Sequence, residues 1–382
     1  MKLGTAPRVL VTGARLPAAL ELVRSLRAAG AEVWAGDSLS FTPASASRDC
    51  AGYVRFPSPA LAFAEFRACV LQAAERLHID LIVPVSEEIF HLAQFADELG
   101  PVQLFAPSFA QLRKLHSKWE VLAMAEGCSV RLPRTIRTTS SVELHAGLEE
   151  IPDGVLKPEF SRGAYHARFA PHAGLETLAV SPANPWLIQE KLAGREISTF
   201  SVARKGELLA HASYEPRWRV AHGASLYFRP LDAPSATRFV AEFVAKHALT
   251  GQLSFDLMMS DDGSIALIEC NPRTTSGVHL FAKPEELGRT FFADDAGYPQ
   301  AGNEAKAAKL AIALLHGVPA LRMGQTRALS RDLRAARDSS FLMRDPLPLL
   351  SLYASSLEIL LRSRSWQVRA DHAYTFDLEW NG

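Results

Sequence analysis

The sequence predicts a mixed protein, α/β at its start and α+β beyond, with a small C-terminal extension. Three observations lead there. Through residues 8–106 short apolar strands alternate with helical runs, the pattern of a Rossmann-like parallel sheet. Gly251 to Gly277 reads as a β-hairpin that carries two acids to one place. After Gly277 the pattern turns helical, and residues 328–382 look like an appendage.

Residues 8–37 read strand–helix–strand. Arg8 to Thr12 is a short apolar strand, Gly13 makes the turn, and Pro17 suits a first helical turn. Leu20, Val23 and Leu26 follow at helical spacing, Gly30 ends the helix, and Glu32 to Ala35 begins a strand closing at Asp37. The unit then continues with a strand at Cys50 to Phe56, a helix from Pro59 to Leu77, a buried strand at Asp80 to Pro84, and another at Val102 to Ala106. Ser86-Glu87-Glu88 reads as the capped start of a helix. Strand ends near Gly13, Asp37 and Ser86-Glu87 form the usual ligand crevice of such a sheet, so Glu87 and Glu88 are either caps or substrate contacts. Nicotinamide binding is not expected: of the three fingerprint glycines only Gly13 is present, with Arg15 and Ala18 in the other places.

A helix is predicted over Gln111 to Gly127 with Lys118 near its middle. Gly154 to Lys157 is a strand, followed by the small loop Ser161-Arg162-Gly163-Ala164 and a strand-like Tyr165 to Phe169. A lysine at a strand end before such a loop suits phosphate, because loop N–H groups can face its oxygens; taken alone, the segment favours a plain hairpin. Trp186 to Leu192 and Ile197 to Ala203 are strands around a turn at Ala193-Gly194, with Glu190 and Glu196 on either side. Tyr214 to Arg219 and His222 to Ser225 form an insert of arginines, aromatics and small residues, either a carboxylate-binding loop or a surface loop.

In the hairpin, Leu253 to Met259 and Ser264 to Cys270 are the arms, joined by the turn signal Ser260-Asp261-Asp262-Gly263. Side chains alternate faces along a strand, so Glu269 and Asn271 share one face, and folding at the turn brings Asp256 opposite Glu269. Two carboxylates and an amide oxygen are hard ligands suited to Mg²⁺. Arg273 is a planar fork suited to phosphate. An ordinary hairpin with a solvated acidic end has the same spacing.

Ile268-Glu269-Cys270-Asn271-Pro272-Arg273, with Asp256 upstream, resembles the metal-binding hairpin of the ATP-grasp superfamily, as in carboxylate–amine ligases and the large chain of carbamoyl-phosphate synthetase. The resemblance covers residues 1–320 in order. It implies a Rossmann-like domain over 1–110, two ATP-grasp subdomains over 111–190 and 191–320, and an extension over 321–382. It implies that Lys118 and Lys157 hold the phosphates of ATP, with Ser161 and Gly163 in the loop over them. Glu190, Lys191 and Leu192 would meet adenine and Glu196 the ribose. Asp256, Glu269 and Asn271 would hold Mg²⁺, with Mn²⁺ as an alternative, and Arg273 would be the catalytic cation. The implied activity is a ligase joining a small-molecule carboxylate to an amine through an acyl phosphate. A carbamoyl-phosphate-type phosphotransferase or a non-catalytic nucleotide-binding protein are the alternatives.

Basic and acidic residues balance at 41 each, which gives no electrostatic case for nucleic acid or a membrane surface. No run reaches ~18 apolar residues, the start lacks a signal-peptide pattern, and Cys50, Cys69, Cys128 and Cys270 show no paired spacing, so a reduced cytoplasmic setting is expected. Glu304 to His316 reads as an amphipathic helix, and Leu347 to Leu361 as an apolar one that packs on the ATP module or on a second subunit, leaving a homodimer open.

Overall fold

A computed structural model describes residues 6–161, 167–169, 174–220 and 225–380. Among these described residues there are three sheets. The first is formed by β1 (Arg8–Thr12), β2 (Glu32–Asp37), β3 (Gly52–Arg55), β4 (Leu81–Val83) and β5 (Gln103–Leu104), all parallel, in the order β3-β2-β1-β4-β5. Alternation along β1 explains why helices cover both faces. Val9 and Val11 enter one apolar cluster with Leu22, Val23 and Leu26 of the helix Pro17–Ala28. Leu10 enters another with Phe66 and Val70 of the helix Phe63–Arg76.

The second sheet has three antiparallel strands, β6 (Thr135–Thr138), β7 (Val155–Pro158) and β8 (Trp186–Gln189), in the order β6-β8-β7. The third has seven: β9 (Arg195–Arg204), β10 (Glu207–Arg219), β11 (Ser225–Leu231), β12 (Gly251–Met259), β13 (Ile265–Asn271), β14 (Lys306–Ala307) and β15 (Arg337–Asp338), in the order β13-β12-β9-β10-β11-β14-β15. Phe200, Val202, Ala210 and Ala212 from this large sheet join the cluster around Pro17–Ala28, so that helix lies between the two units. The other face packs Phe239, Val240 and Phe243 of the helix Pro234–Lys246 against Phe255, Leu257 and Leu267.

Four expectations are corrected. The helix predicted from Gln111 to Gly127 is two, Phe109–His116 and Glu120–Ala125, with Lys118 in the break. Ser117 causes it: its Oγ accepts from the N–H groups of Trp119 and Glu120 at 3.3 and 3.0 Å, capping the second helix, and donates to Glu159 at 2.6 Å. Ser86 caps nothing, and its Oγ is buried without a partner. Instead the Glu88 carboxylate receives the N–H groups of Val85 and Ser86 and the Thr12 hydroxyl. The helix expected at Glu304 begins later, at Lys309–Arg322, because Ala307 pairs with Tyr227 as a sheet strand. The apolar helix expected at Leu347 to Leu361, on the ATP module or a second subunit, runs over Leu347–Trp366 and meets the N-terminal unit, where Ser40 binds Glu358. The pairs of Arg24 with Asp345 and of Arg15 with Asp377 flank it, while Asp332 and Arg337–Asp338 earlier in the extension stay with the large sheet.

Candidate active site

The centre of the site is a row of side chains across three strands. Asp256 on β12 stands between Ser198 on β9 and Glu269 on β13. Just beyond, the register slips, so that Leu257 pairs with Leu267 and Ile268 is extra. The bulge has a consequence for the chemistry. Leu267 lies in the core, and strict alternation would send Glu269 to the same face. The extra residue lets Glu269 leave that face and stand beside Asp256. It also turns the Ile268 carbonyl toward Lys157, whose Nζ donates to it at 3.2 Å.

Both lysines are almost fully buried, and they come from separate segments. Lys118, set in the helix break, lies 3.6 Å from Glu269 and donates to the carbonyl and hydroxyl oxygens of Ser161 at 2.6 and 3.2 Å. Lys157, at the end of β7, also donates to Gln189 Oε1 at 2.8 Å. Burial pulls Lys157 down to about 8, with Lys118 repelling it further and Glu269 opposing. Burial pushes Asp256 up, and the charge of Glu269 adds to the rise. Burial acts to raise Glu269 too, yet Lys118 and Lys157 outweigh it and hold that carboxyl below the ordinary range. The result is a buried cluster of two acids and two ammonium groups, with repulsion stored between the acids.

The acids accept other bonds. Ser198 donates to Asp256 Oδ1 at 2.5 Å and the Asn271 amide to Oδ2 at 3.1 Å. Arg273 donates to Asn271 Oδ1 at 3.1 Å and lies 3.8 Å from Glu87, which links the hairpin to the N-terminal unit. In this arrangement the Asn271 nitrogen faces Asp256, and a role as metal ligand requires the amide to turn. Among the described residues no three His, Cys, Asp or Glu side chains gather as a metal site; the hairpin supplies two carboxylates. Two carboxylates in mutual repulsion fit a divalent cation completed by phosphate and water.

Lys118, Lys157, Ser161, Asp256, Glu269, Asn271 and Arg273 therefore meet. Glu196 joins them on β9, two residues from Ser198 on the same face, and is ion-paired with Arg219. Glu190, Lys191 and Leu192 form the link from β8 to β9, directly after Gln189, and Glu190 binds Arg131 at 2.5 Å. Gly163, with Arg162 and Ala164, falls outside the described residues, as does His222. In the arginine-rich insert, Arg217 and Trp218 are paired with Asp332, which speaks for structure there. Sequence reasoning missed Ser198, Gln189 and Trp380. Ser198 was findable from its spacing of two from Glu196. Trp380 carried no local signal; its ring stacks on Phe90 at 4.8 Å, and its backbone N–H donates to Glu87 at 3.2 Å.

No family model and no curated protein sequence matches the chain. Solved structures do. Phosphoribosylamine–glycine ligase from Thermotoga maritima is 17% identical with a TM-score of 0.59, over 78% of each chain. The biotin carboxylase domain of a 2-oxoglutarate carboxylase from Hydrogenobacter thermophilus, solved with MgADP, ADP and bicarbonate, is 13% identical with a TM-score of 0.61, over 79% of this chain and 74% of that one. An L-amino acid ligase from Bacillus licheniformis is 13% identical with a TM-score of 0.55, over 77% and 75%. At such identities the likeness is one of fold, shared with these ligases and this carboxylase domain.

Proposed function

We propose that this chain, an ATP-grasp protein by fold, is an ATP-dependent ligase that joins a carboxylate to an amine and releases ADP and phosphate. One observation carries the reading: Asp256 and Glu269 stand side by side facing Lys118 and Lys157, so four charged groups from three distant segments converge. A buried cluster of that kind costs stability unless a ligand of matching charge uses it. A nucleoside triphosphate with its cation matches it.

The residues take these roles. Lys118 and Lys157 bind the phosphates, and the segment at Ser161 and Gly163 covers them. Glu190, Lys191 and Leu192 meet the adenine edge, and Glu196 the ribose hydroxyls. Asp256 and Glu269, with Asn271, would hold Mg²⁺ or Mn²⁺, which supplies neutralisation of phosphate charge when bound. A substrate carboxylate oxygen attacks the γ-phosphorus and ADP leaves; the amine nitrogen then attacks the acyl carbon, loses its proton, and expels phosphate. Arg273, held beside the acids by Asn271, steadies the oxyanion. The chain positions and neutralises, and no side chain becomes acylated. The division into 1–110, 111–190, 191–320 and 321–382 follows the same reading.

The test is ADP release with Mg²⁺ across pairs of carboxylates and amines. Release that needs both partners, and that Glu269→Gln lowers by about a hundredfold or more, is the expected result. Wild-type rates in that variant would overturn the assignment.

A further inference from the structure

The crevice over the N-terminal sheet is filled by the chain's own C-terminal tail. Arg15 is fully buried, clamped between Asp37 and Asp377 at 2.6 Å from each. Ser38 donates to Asp377 at 2.5 Å, and the Asp377 carbonyl takes the Ala60 N–H and the Ser58 hydroxyl. Leu378 then lies over Gly13, Gly36 and Phe56, leaving a cavity of about 10 Å³. That is room for a single water at most. The strand-end position where open α/β sheets take ligands is therefore occupied, and its arginine is spent on two acids.

The tail ends its described course at the cleft. Trp380, only partly buried, lies flat on Phe90 and edge-on to Phe160 at 5.9 Å, with the His116 ring 6.1 Å away. His116 is two residues before Lys118, and Phe160 immediately precedes Ser161. The Trp380 backbone N–H holds one oxygen of Glu87, and the other faces Arg273. Trp380 thus touches both lysine-bearing flanks and the N-terminal unit at once.

Resting on the ligase reading, we infer that this tail is the acceptor-side wall of the cleft, and that Trp380 with Phe160 and His116 restricts the acceptor to unphosphorylated amines bearing an apolar or aromatic group. Flat apolar faces recognise such groups. A phosphorylated acceptor needs an uncommitted arginine or lysine at the crevice, and the arginines there are engaged: Arg15 by Asp37 and Asp377, Arg362 by Glu358 and the Ser38 carbonyl, and Arg273 by Asn271 beside Glu87.

The test uses the full chain with phenylalanine, leucine, glycine, phenethylamine and O-phosphoserine as amines. Each is assayed by MgATP-dependent ADP release with a panel of carboxylates, and by thermal shift in the presence of MgADP. Leucine, phenylalanine or phenethylamine should act or bind best. Trp380→Ala should raise their KM or weaken their thermal shift by about tenfold, with MgADP affinity held within about twofold and with recovery in Trp380→Phe. The inference is overturned if Trp380→Ala leaves those amines unaffected, if O-phosphoserine is preferred, or if no apolar amine shifts or turns over in the wild type. Failure of the ligase reading looks different: the wild type binds amines through Trp380 but neither binds MgADP nor releases ADP.

Discussion

Asp256 and Glu269 face each other across an antiparallel pair whose register breaks one residue later. The break places both carboxylates on one face, and burial makes their repulsion costly. Asp256→Asn should therefore lower Mg²⁺ affinity more than nucleotide affinity. The Mg²⁺ concentration for half-maximal turnover is expected to rise by about tenfold or more. Titration of ADP release with Mg²⁺ at saturating ATP measures this, and an unchanged midpoint would remove Asp256 from the metal site.

Lys157 gives a pH dependence with a definite sign. It sits at about 8 in the free protein because burial disfavours its charge. Phosphate oxygens favour the charged form, so nucleotide binding above pH 8 takes up a proton. ADP affinity should be level below about 8 and fall above it, by at most about tenfold per pH unit. Lys157→Arg, charged throughout this range, should show no such fall. Calorimetry in buffers of different ionisation enthalpy reads both the affinity and the proton.

Part of this arrangement was legible in the sequence. The strand Arg8–Thr12 was readable to the residue, because five residues between turn signals leave no room for a helix. That Asp256 and Glu269 end near each other was readable from the turn at Asp261-Asp262-Gly263. Their sharing a face was not, because the turn's register pairs Leu257 with Leu267 and only the extra residue Ile268 brings Glu269 opposite Asp256. The break at Lys118 was not readable either. Leu112, Leu115, Val121 and Leu122 keep a helical rhythm across it, and the Ser117 side chain that interrupts it bonds to Glu159 on a distant segment. The tail was illegible for the same reason: Arg15 and Asp377 are 362 positions apart, and no local pattern records their pairing.

The packing of the helix Pro284–Arg289 on the helix Pro17–Ala28 depends on one missing side chain. A Cβ at Gly288 would fall 2.2 Å from the Ser25 carbonyl oxygen and 2.8 Å from the Ala29 Cβ. Backbone cannot swing aside as a flexible side chain can. Gly288→Ala should cost about 1–3 kcal/mol of stability by forcing the helices apart. Gly297→Ala, with nothing within 4 Å, is the control and should stay within about 0.5 kcal/mol. Urea unfolding of the two variants separates close approach from a general effect of removing glycine.

The Arg15–Asp377 clamp predicts how the protein yields to acid. Burial alone would raise the Asp377 carboxyl, but Arg15 and the Ser38 hydroxyl outweigh it and hold it below the usual range. A carboxyl lowered by folding adds stability that is complete above its unfolded pKa, near 3.9, and is lost as pH falls through the folded value. Asp377→Asn leaves Arg15 buried with Asp37 alone and should cost about 3 kcal/mol at pH 7, with the tail released from Ser58 and Ala60. The gap between wild type and variant should narrow once the pH drops below about 4, because the unfolded wild type then takes up a proton at Asp377 that the folded clamp still excludes. Unfolding midpoints from pH 3 to pH 7 measure that gap, and a gap independent of pH would mean that the clamp acts by packing rather than by charge.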